Sequence, residues 1–147
     1  MLPDRQQPNL GILLFVAYRA LEQRAHDAVV AADITDITLA QARIAARIGP
    51  HGTRVSDLAE QARVTKQSAG FLVNQLEAAG YVERVPDPAD GRARLVRLTT
   101  RAQEVVKTAN AEVERVLAEW SDHVGTERLR QMHETLLDLR EITDPWR

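Results

Sequence analysis

The chain has 147 residues, of which 44% are hydrophobic, 27% charged and 4% aromatic, and its net charge is −2. This composition predicts one globular domain with an aliphatic core. The absence of cysteine excludes disulfides, thiolate zinc sites and cysteine nucleophiles. No apolar run approaches the roughly 18 residues of a membrane span, and the first residues lack a signal-peptide pattern. We therefore expect a cytoplasmic protein without membrane contact.

The charge is distributed unevenly along the sequence. Residues 43–101 contain ten Lys or Arg and six Asp or Glu, a net charge of +4, whereas the rest of the chain carries −6. A basic centre between acidic flanks favours a polyanionic partner at the centre, although chance variation also produces excesses of this size.

The first third of the chain predicts two helices. Apolar residues at helical spacing predict a long helix over about residues 9–31. Thr38 and Gln41 have the spacing of a capping box, which predicts the start of a second helix that continues to Ile48. The glycines and the proline of residues 49–52 then end that helix.

Two short helices are predicted next, joined by a tight turn. Ser56 is the expected N-cap of a helix that ends near Ala62, and Thr65 is the expected N-cap of a helix over roughly Lys66–Ala79. Gly80 suits the left-handed residue that ends such a helix.

A hairpin and two long helices complete the predicted order. β-Branched and aromatic residues predict strands over 81–85 and 95–99, joined by a turn rich in Pro, Asp and Gly. A capping box at Thr100 opens a helix that runs to about His123, and a last helix covers Glu127–Ile142.

Both ends of the chain therefore carry long helices with an apolar stripe. A chain this small has few other ways to cover the stripes, which favours packing of the terminal helices between two chains; packing on one monomeric core is the alternative. The predicted fold class is mainly α with a small β-hairpin wing. We predict a single domain over 1–147, with a winged helix-turn-helix lobe over about 36–100 and dimerisation helices over about 9–31 and 100–142.

A helix pair followed by a basic hairpin fits the two grooves of duplex DNA. In the second short helix Lys66 can reach guanine acceptors or a phosphate, Gln67 can pair with adenine, and Ser68 suits either role. Free amides at the starts of both short helices suit phosphate oxygens, and Asn74 lies two turns further on. The DNA-binding residues that we expect are Ser56, Thr65, Lys66, Gln67, Ser68, Asn74, Arg92 and Arg94. A merely solvated helix start is the alternative.

The predicted wing carries two arginines near its tip. Arg92 and Arg94 have the same parity, so on a strand they project to one side. An arginine at a hairpin tip can enter a narrow minor groove and respond to its negative potential. We expect Asp90 to hold Arg92 by an ion pair. The alternative is a polar turn with a surface salt bridge, which contributes little energy.

Several short motifs in this central segment carry a family resemblance. They are Leu58-Ala59, Leu76-Glu77, Gly80-Tyr81-Val82, Arg84, Asp90-Gly91-Arg92 and Leu98-Thr99. With the order of the helices, they make the chain resemble the MarR (multiple antibiotic resistance regulator) family over nearly its whole length. The wing followed by Leu-Thr and a long helix is the most specific part.

The resemblance implies a homodimeric transcriptional repressor. Its terminal helices would form the dimer, and its two winged-helix lobes would bind a pseudo-palindromic double-stranded DNA operator. The family's recognition-helix start corresponds to Thr65–Ser68 and its wing arginine to Arg92. Many relatives release DNA when a small aromatic or phenolic acid binds near the junction of the dimer and the DNA-binding lobes, which implies a small-molecule effector; we expect no cofactor.

The chain departs from the family pattern on the recognition helix. Many relatives carry Arg or Lys where Phe71 and Gln75 stand, so we expect fewer phosphate or base contacts here. Phe71 either touches a thymine methyl or packs internally. The operator sequence therefore does not carry over, and the lack of cysteine excludes a peroxide-sensing mechanism.

Other classes of function have weaker support in the sequence. The histidines are scattered and neither an HExxH motif nor a P-loop is present, so we expect no enzyme. His123 and His133 could approach across the turn at Gly125, which leaves a metal-responsive regulator as an alternative, although we expect no metal site. A winged helix that contacts only proteins is a further alternative, which the paired wing arginines disfavour.

Overall fold

A computed structural model describes residues 7–146 of the chain. Its elements follow the predicted order of four helices, a hairpin and two further helices. They are α1 (Leu10–Ala31), α2 (Leu39–Ala45), α3 (Val55–Ala62), α4 (Lys66–Ala78), β1 (Val82–Asp87), β2 (Asp90–Leu98), α5 (Thr100–Val124) and α6 (Thr126–Thr143). The prediction of a mainly α fold with a small β-hairpin wing is confirmed.

The capping box that opens α2 is confirmed by two reciprocal hydrogen bonds. Thr38 Oγ1 accepts from Gln41 N at 3.2 Å, and Gln41 Oε1 accepts from Thr38 N at 2.9 Å. The predicted end at Ile48 is wrong, because the helix ends at Ala45. The next residues form a tighter turn, in which Ile48 N donates to Ala45 O at 3.2 Å.

Two predicted caps are displaced by one or two residues. The N-cap of α3 is Arg54, whose side chain makes no capping hydrogen bond, so Ser56 lies inside the first turn. The N-cap of α5 is Thr99, whose Oγ1 accepts from Ala102 N at 3.3 Å, whereas Thr100 is already helical. Backbone hydrogen bonds to distant segments fix both starts: Thr53, two residues before α3, pairs with Val96, and Thr99 N donates to Tyr81 O.

The core lies under the inner face of α4. Ala69, Val73 and Leu76, spaced three or four residues apart, are 0% exposed and pack in one cluster with the hairpin and α3. The helix ends at a left-handed glycine, as predicted: Gly80 has a φ of +82°. Tyr81 N then donates to Leu76 O at 2.9 Å, which satisfies a carbonyl of the last turn and leads the chain into β1.

The wing is longer and its turn is tighter than the sequence predicts. β1 and β2 are antiparallel from Val82–Leu98 to Pro86–Arg94, and the register then shifts so that Asp87 lies opposite Asp90. Residues 91–93 are consequently extra on β2 and form an irregularity of the type that bends a hairpin. The pairs Pro86–Arg94 and Asp87–Asp90 thus extend both strands into the segment whose composition is typical of a turn.

The base of the wing is held by a third extended segment. Thr53 and Val96 exchange two backbone hydrogen bonds of 2.9 Å. Gly52 precedes this bridge with a φ of +92°, and a Cβ there would lie 2.9 Å from Leu95 Cβ. Glycine is therefore required both by the backbone conformation and by the close approach of β2.

The terminal helices are less covered than the centre. α1 packs along α5, where Arg24 contacts Glu112 at 2.6 Å and Glu119 at 2.9 Å. α6 has no buried residue. The exposed apolar side chains of these two terminal helices include Leu10, Leu13, Phe15, Met132, Leu136 and Leu137. Within residues 7–146, no helix is long and apolar enough to cross a membrane.

Candidate nucleic-acid interface

The start of α4 is fixed by a side-chain cap and remains open to solvent. Thr65 Oγ1 accepts from Ser68 N at 3.0 Å and donates to Ser68 Oγ at 2.8 Å. Lys66 and Gln67 lie between these two residues, are exposed and have no hydrogen-bond or ion-pair partner among the described residues. The cap thus orders the helix start while leaving two long polar side chains available for a ligand.

Ser56 and Asn74 occupy different settings. Ser56 is exposed in the first turn of α3, where backbone N–H groups lack intrahelical acceptors. Asn74 Oδ1 accepts from Arg84 Nη2 at 2.8 Å, and Arg84 Nη1 donates to Glu77 Oε1 at 2.7 Å. The amide oxygen of Asn74 therefore joins α4 to β1, while its NH₂ group remains the donor that a phosphate requires.

The two wing arginines are exposed, but Asp90 does not hold Arg92 in the predicted way. Asp90 Oδ1 accepts from the backbone N of Arg92 at 3.1 Å, and its carboxylate lies 3.9 Å from Arg54. Asp90 closes the turn on the main chain, so it orders the backbone rather than the guanidinium. Arg92 and Arg94 make no ion pair within the described part of the chain.

Arg54 and Asp87 form a clamp at the wing that sequence reasoning missed. Arg54 donates to Asp87 Oδ2 at 2.7 Å and 3.0 Å, and Asp87 Oδ1 accepts from Ala89 N at 2.9 Å. The Ala89 N–H and the Arg54 guanidinium hold the pKa of Asp87 below its ordinary value. The Asp-Pro turn was the available signal for the carboxylate, but its partner lies 33 residues earlier in the chain.

The ten cations of residues 43–101 fall into three groups, of which the first is Arg47 alone, whose guanidinium donates to the carbonyl oxygens of Gln61 and Arg43. Five arginines are in ion pairs: Arg43 with Glu22, Arg54 with Asp87, Arg84 with Glu77, Arg97 with Glu83 and Arg101 with Asp36. Arg63, Lys66, Arg92 and Arg94 are exposed and have no carboxylate partner within residues 7–146. These four unpaired cations lie on the turn between α3 and α4, at the start of α4 and on the wing. Arg63 was not among the predicted site residues.

Gln75, by contrast, faces another helix of the lobe. Its Oε1 accepts from Gln41 Nε2 of α2 at 3.0 Å. This contact explains one departure from the family pattern, because an amide here joins α2 to α4. Phe71 is 62% exposed, so the described residues do not bury it.

A cavity of about 490 Å³ lies between α1, α2 and α5. Its walls are mostly apolar and include Leu21, Val29, Ile37, Val105, Val106 and Val113. Its polar lining residues are Tyr18, Glu22, His26, Arg43, Tyr81 and Asn110. An apolar cavity with a few polar groups is the usual form of a small-molecule site.

Tyr81 connects this cavity to the end of α4. Its hydroxyl donates to Asp36, whose other carboxylate oxygen accepts from Arg101 Nη2 at 2.8 Å. The Arg101 guanidinium also lies 4.5 Å from the centre of the Tyr81 ring. Burial and the hydrogen bond to Asp36 raise the pKa of Tyr81, which keeps the hydroxyl protonated as a donor. The cluster thereby joins the α1–α2 loop, α4 and α5.

Comparison with known proteins shows which family the chain resembles. The sequence model of the MarR family matches residues 35–93, from the α1–α2 loop through Ala93 of the wing. The chain is also 28% identical to the HTH-type transcriptional regulator FarR of Neisseria gonorrhoeae over 145 residues, which cover 98% of this chain and 97% of FarR. The central segment of the chain is therefore similar to the MarR family. The winged helix-turn-helix of this segment is α3, α4 and the hairpin.

Two further relatives bear on this resemblance. The HTH-type transcriptional regulator BilQ of Clostridioides difficile is 26% identical over 73 residues, which cover 50% of this chain and 47% of BilQ, so the match spans about half of that relative. The crystal structure of NadR in complex with 4-hydroxyphenylacetate matches with a TM-score of 0.70 and 25% identity, covering 97% of this chain and 99% of NadR. FarR and BilQ are regulators, which points away from an enzyme.

Proposed function

We propose that this chain is a cytoplasmic, homodimeric transcriptional repressor of the MarR family that binds a pseudo-palindromic double-stranded DNA operator. The observation that carries the proposal is the position of the four unpaired cations. Within the lobe they lie on the helix-turn-helix and the wing, whereas the other arginines of the lobe are paired with carboxylates or bonded to carbonyls. Neutralising phosphates with such cations supplies most of the affinity of DNA-binding proteins.

Within this proposal the lobe over about 36–100 contacts DNA. Lys66, Gln67 and Ser68 enter the major groove, because an exposed recognition-helix start presents its first residues to base edges. Arg92 reaches the minor groove, with Arg94 beside it on the phosphates. Ser56, Thr65 and Asn74 position the lobe through phosphate contacts.

The dimer is supported by the apolar side chains that α1 and α6 leave exposed. Leu137 is 52% exposed, Phe15 61% and Ile142 83%, although each belongs to a long helix. Apolar side chains of this size and number mark an interface when they are contiguous. We propose that the helices over about 9–31 and 100–142 bury these side chains against a second copy of the chain, which presents two lobes to two half-sites.

The cavity supports regulation by a small molecule. It lies between the proposed dimerisation helices α1 and α5 and the lobe helix α2. The structurally similar NadR was crystallised with 4-hydroxyphenylacetate. We propose that an aromatic or phenolic acid of this kind binds in the cavity and releases the DNA. No geometry among residues 7–146 favours the metal-responsive alternative.

The proposal is tested by selecting genomic DNA fragments with the purified protein and mapping the protected bases. We expect two protected half-sites about one helical turn apart, centred on a pseudo-palindrome. Transcription in vitro from a promoter that contains the selected site should then fall as protein is added. Equal retention of random and genomic fragments would overturn sequence-specific binding, and increased transcription would overturn the role as a repressor.

A further inference from the structure

We propose that the Glu22 carboxylate competes with the carboxylate of an aromatic acid for Arg43. When the acid takes the place of Glu22 at Arg43, α2 is released from α1. The inference rests on the proposed ligand-responsive function and names the ligand class and the contact that it breaks. Both residues line the cavity, one on each of the two helices.

The chemistry of the cavity selects an aromatic monocarboxylate. Among its described lining residues, Arg43 is the single Lys or Arg, and most of the remaining surface is apolar. A guanidinium binds a carboxylate through two parallel hydrogen bonds, and aliphatic walls favour an aromatic ring over a polar chain. The volume of about 490 Å³ lies within the range of small-molecule sites.

Arg43 is already occupied in the structure. Its Nε donates to Glu22 Oε2 at 2.9 Å and its Nη2 donates to Glu22 Oε1 at 2.7 Å. The Tyr18 hydroxyl also donates to Glu22 Oε2 at 2.9 Å. The Arg43 guanidinium lowers the pKa of Glu22, which is therefore ionised at neutral pH. An incoming carboxylate that binds the same Nε–Nη2 edge must displace Glu22, whereas binding at the Nη1–Nη2 edge would place two repelling carboxylates beside one guanidinium.

The exchange conserves the hydrogen bonds of Arg43. The ligand's two oxygens accept from Nε and Nη2, so the guanidinium stays satisfied. Glu22 keeps the Tyr18 donor and lies in the field of Arg47, which also lowers its pKa. An uncharged ligand of the same shape cannot replace an ionised carboxylate in this way, and it leaves the pair intact.

The pair also joins two parts of the molecule. Within residues 7–146, no other ion pair or side-chain hydrogen bond links α1 to α2. α2 in turn is tied to α4 by Gln41 and Gln75. Loss of the Arg43–Glu22 contact therefore removes this polar link between α2 and the proposed dimerisation helix α1, while the bond from Gln41 to Gln75 keeps α2 attached to α4.

The experiment measures ligand binding to the full-length protein without DNA. Phenylacetate and the uncharged phenylacetamide are titrated by calorimetry into the wild type, Glu22→Gln and Arg43→Gln. We expect Glu22→Gln to bind phenylacetate about fivefold more tightly. The gain is modest because Arg43 is half exposed, so the ion pair with Glu22 that the ligand replaces is weak. Its affinity for phenylacetamide should change less than about twofold, and Arg43→Gln should lose the preference for the acid.

Glu119→Gln is the matched control, because Glu119 also pairs with an arginine of α1 but does not line the cavity. It should leave both affinities unchanged. Equal or weaker binding of phenylacetate by Glu22→Gln, with binding by the wild type, would overturn the exchange at Arg43 alone. No binding by either protein would overturn both the exchange and the proposed regulation by an aromatic acid, whereas operator binding is measured separately on selected DNA fragments.

Discussion

Replacing Arg92 by alanine should change the salt dependence of DNA binding by a predictable amount. The winged-helix lobe of each protomer presents the four unpaired cations Arg63, Lys66, Arg92 and Arg94, so the two lobes of a dimer present eight. If all eight contact phosphate, the slope of log K against log salt is about −7, and Arg92→Ala makes it shallower by about 2 because two cations are lost per dimer. Between about 50 and 200 mM salt, the wild type should then lose about tenfold more affinity than the variant.

Fluorescence anisotropy of a labelled operator duplex at several salt concentrations measures these slopes. Lys66→Ala should behave similarly if its ammonium binds phosphate, and both variants should remain folded dimers. Arg97→Ala is the matched control, since Arg97 is also exposed on β2 but lies 2.6 Å from Glu83. Unchanged affinity and slope in both Arg92→Ala and Lys66→Ala would refute the assigned interface. An equal loss in Arg97→Ala would refute the distinction between paired and unpaired cations.

Three further outcomes follow from packing and charge. Leu76→Ala, at a fully buried position of α4, should lower the free energy of unfolding by about 2–5 kcal/mol in urea titrations, and a loss below about 1 kcal/mol would contradict its place in the core. Deletion of residues 127–147 should give monomers or insoluble protein, whereas a stable dimer in light scattering would exclude α6 from the interface. Because the folded-state pKa values of Glu22 and Asp36 lie below their ordinary values of 4.5 and 3.8, their stabilisation is complete above about pH 5 and lost as pH falls through the lowered values. The urea concentration at the unfolding midpoint should therefore decrease as the pH is lowered from 5 to 3, and this decrease should be smaller in Glu22→Gln.

Local signals predicted the helices because each signal and its partner lie within one turn. The capping box of Thr38 and Gln41, the Thr65 cap and the left-handed Gly80 all depend on residues three or four positions apart. The same reasoning does not distinguish between the adjacent Thr99 and Thr100 at the start of α5, since either fits the pattern of an N-cap. Thr99 is the N-cap because its backbone N–H donates a hydrogen bond to Tyr81 O, 18 residues earlier in the chain.

Contacts between distant segments account for what the sequence could not predict at the wing. Asp90, Gly91 and Arg92 have the composition of a turn, yet they lie within β2, because Asp90 pairs with Asp87 and Arg94 with Pro86 on either side of the unpaired residues 91–93. Arg54 counts as a basic residue of the centre, but Asp87 neutralises it across 33 positions. The net charge of +4 over residues 43–101 therefore predicts a basic surface but does not identify the side chains that form it.

The two departures on the recognition helix have different physical explanations. Gln75 Oε1 accepts a hydrogen bond from Gln41 Nε2, so the uncharged amide at this position joins α2 to α4. Phe71 has no such role, because 62% of it is exposed. It lies four residues after Gln67 and therefore on the same face of α4. We propose that the amide of Gln67, which suits adenine, and the apolar ring of Phe71, which suits a thymine methyl, together favour A·T pairs, so that base contacts take the place of a phosphate contact at this point of the helix.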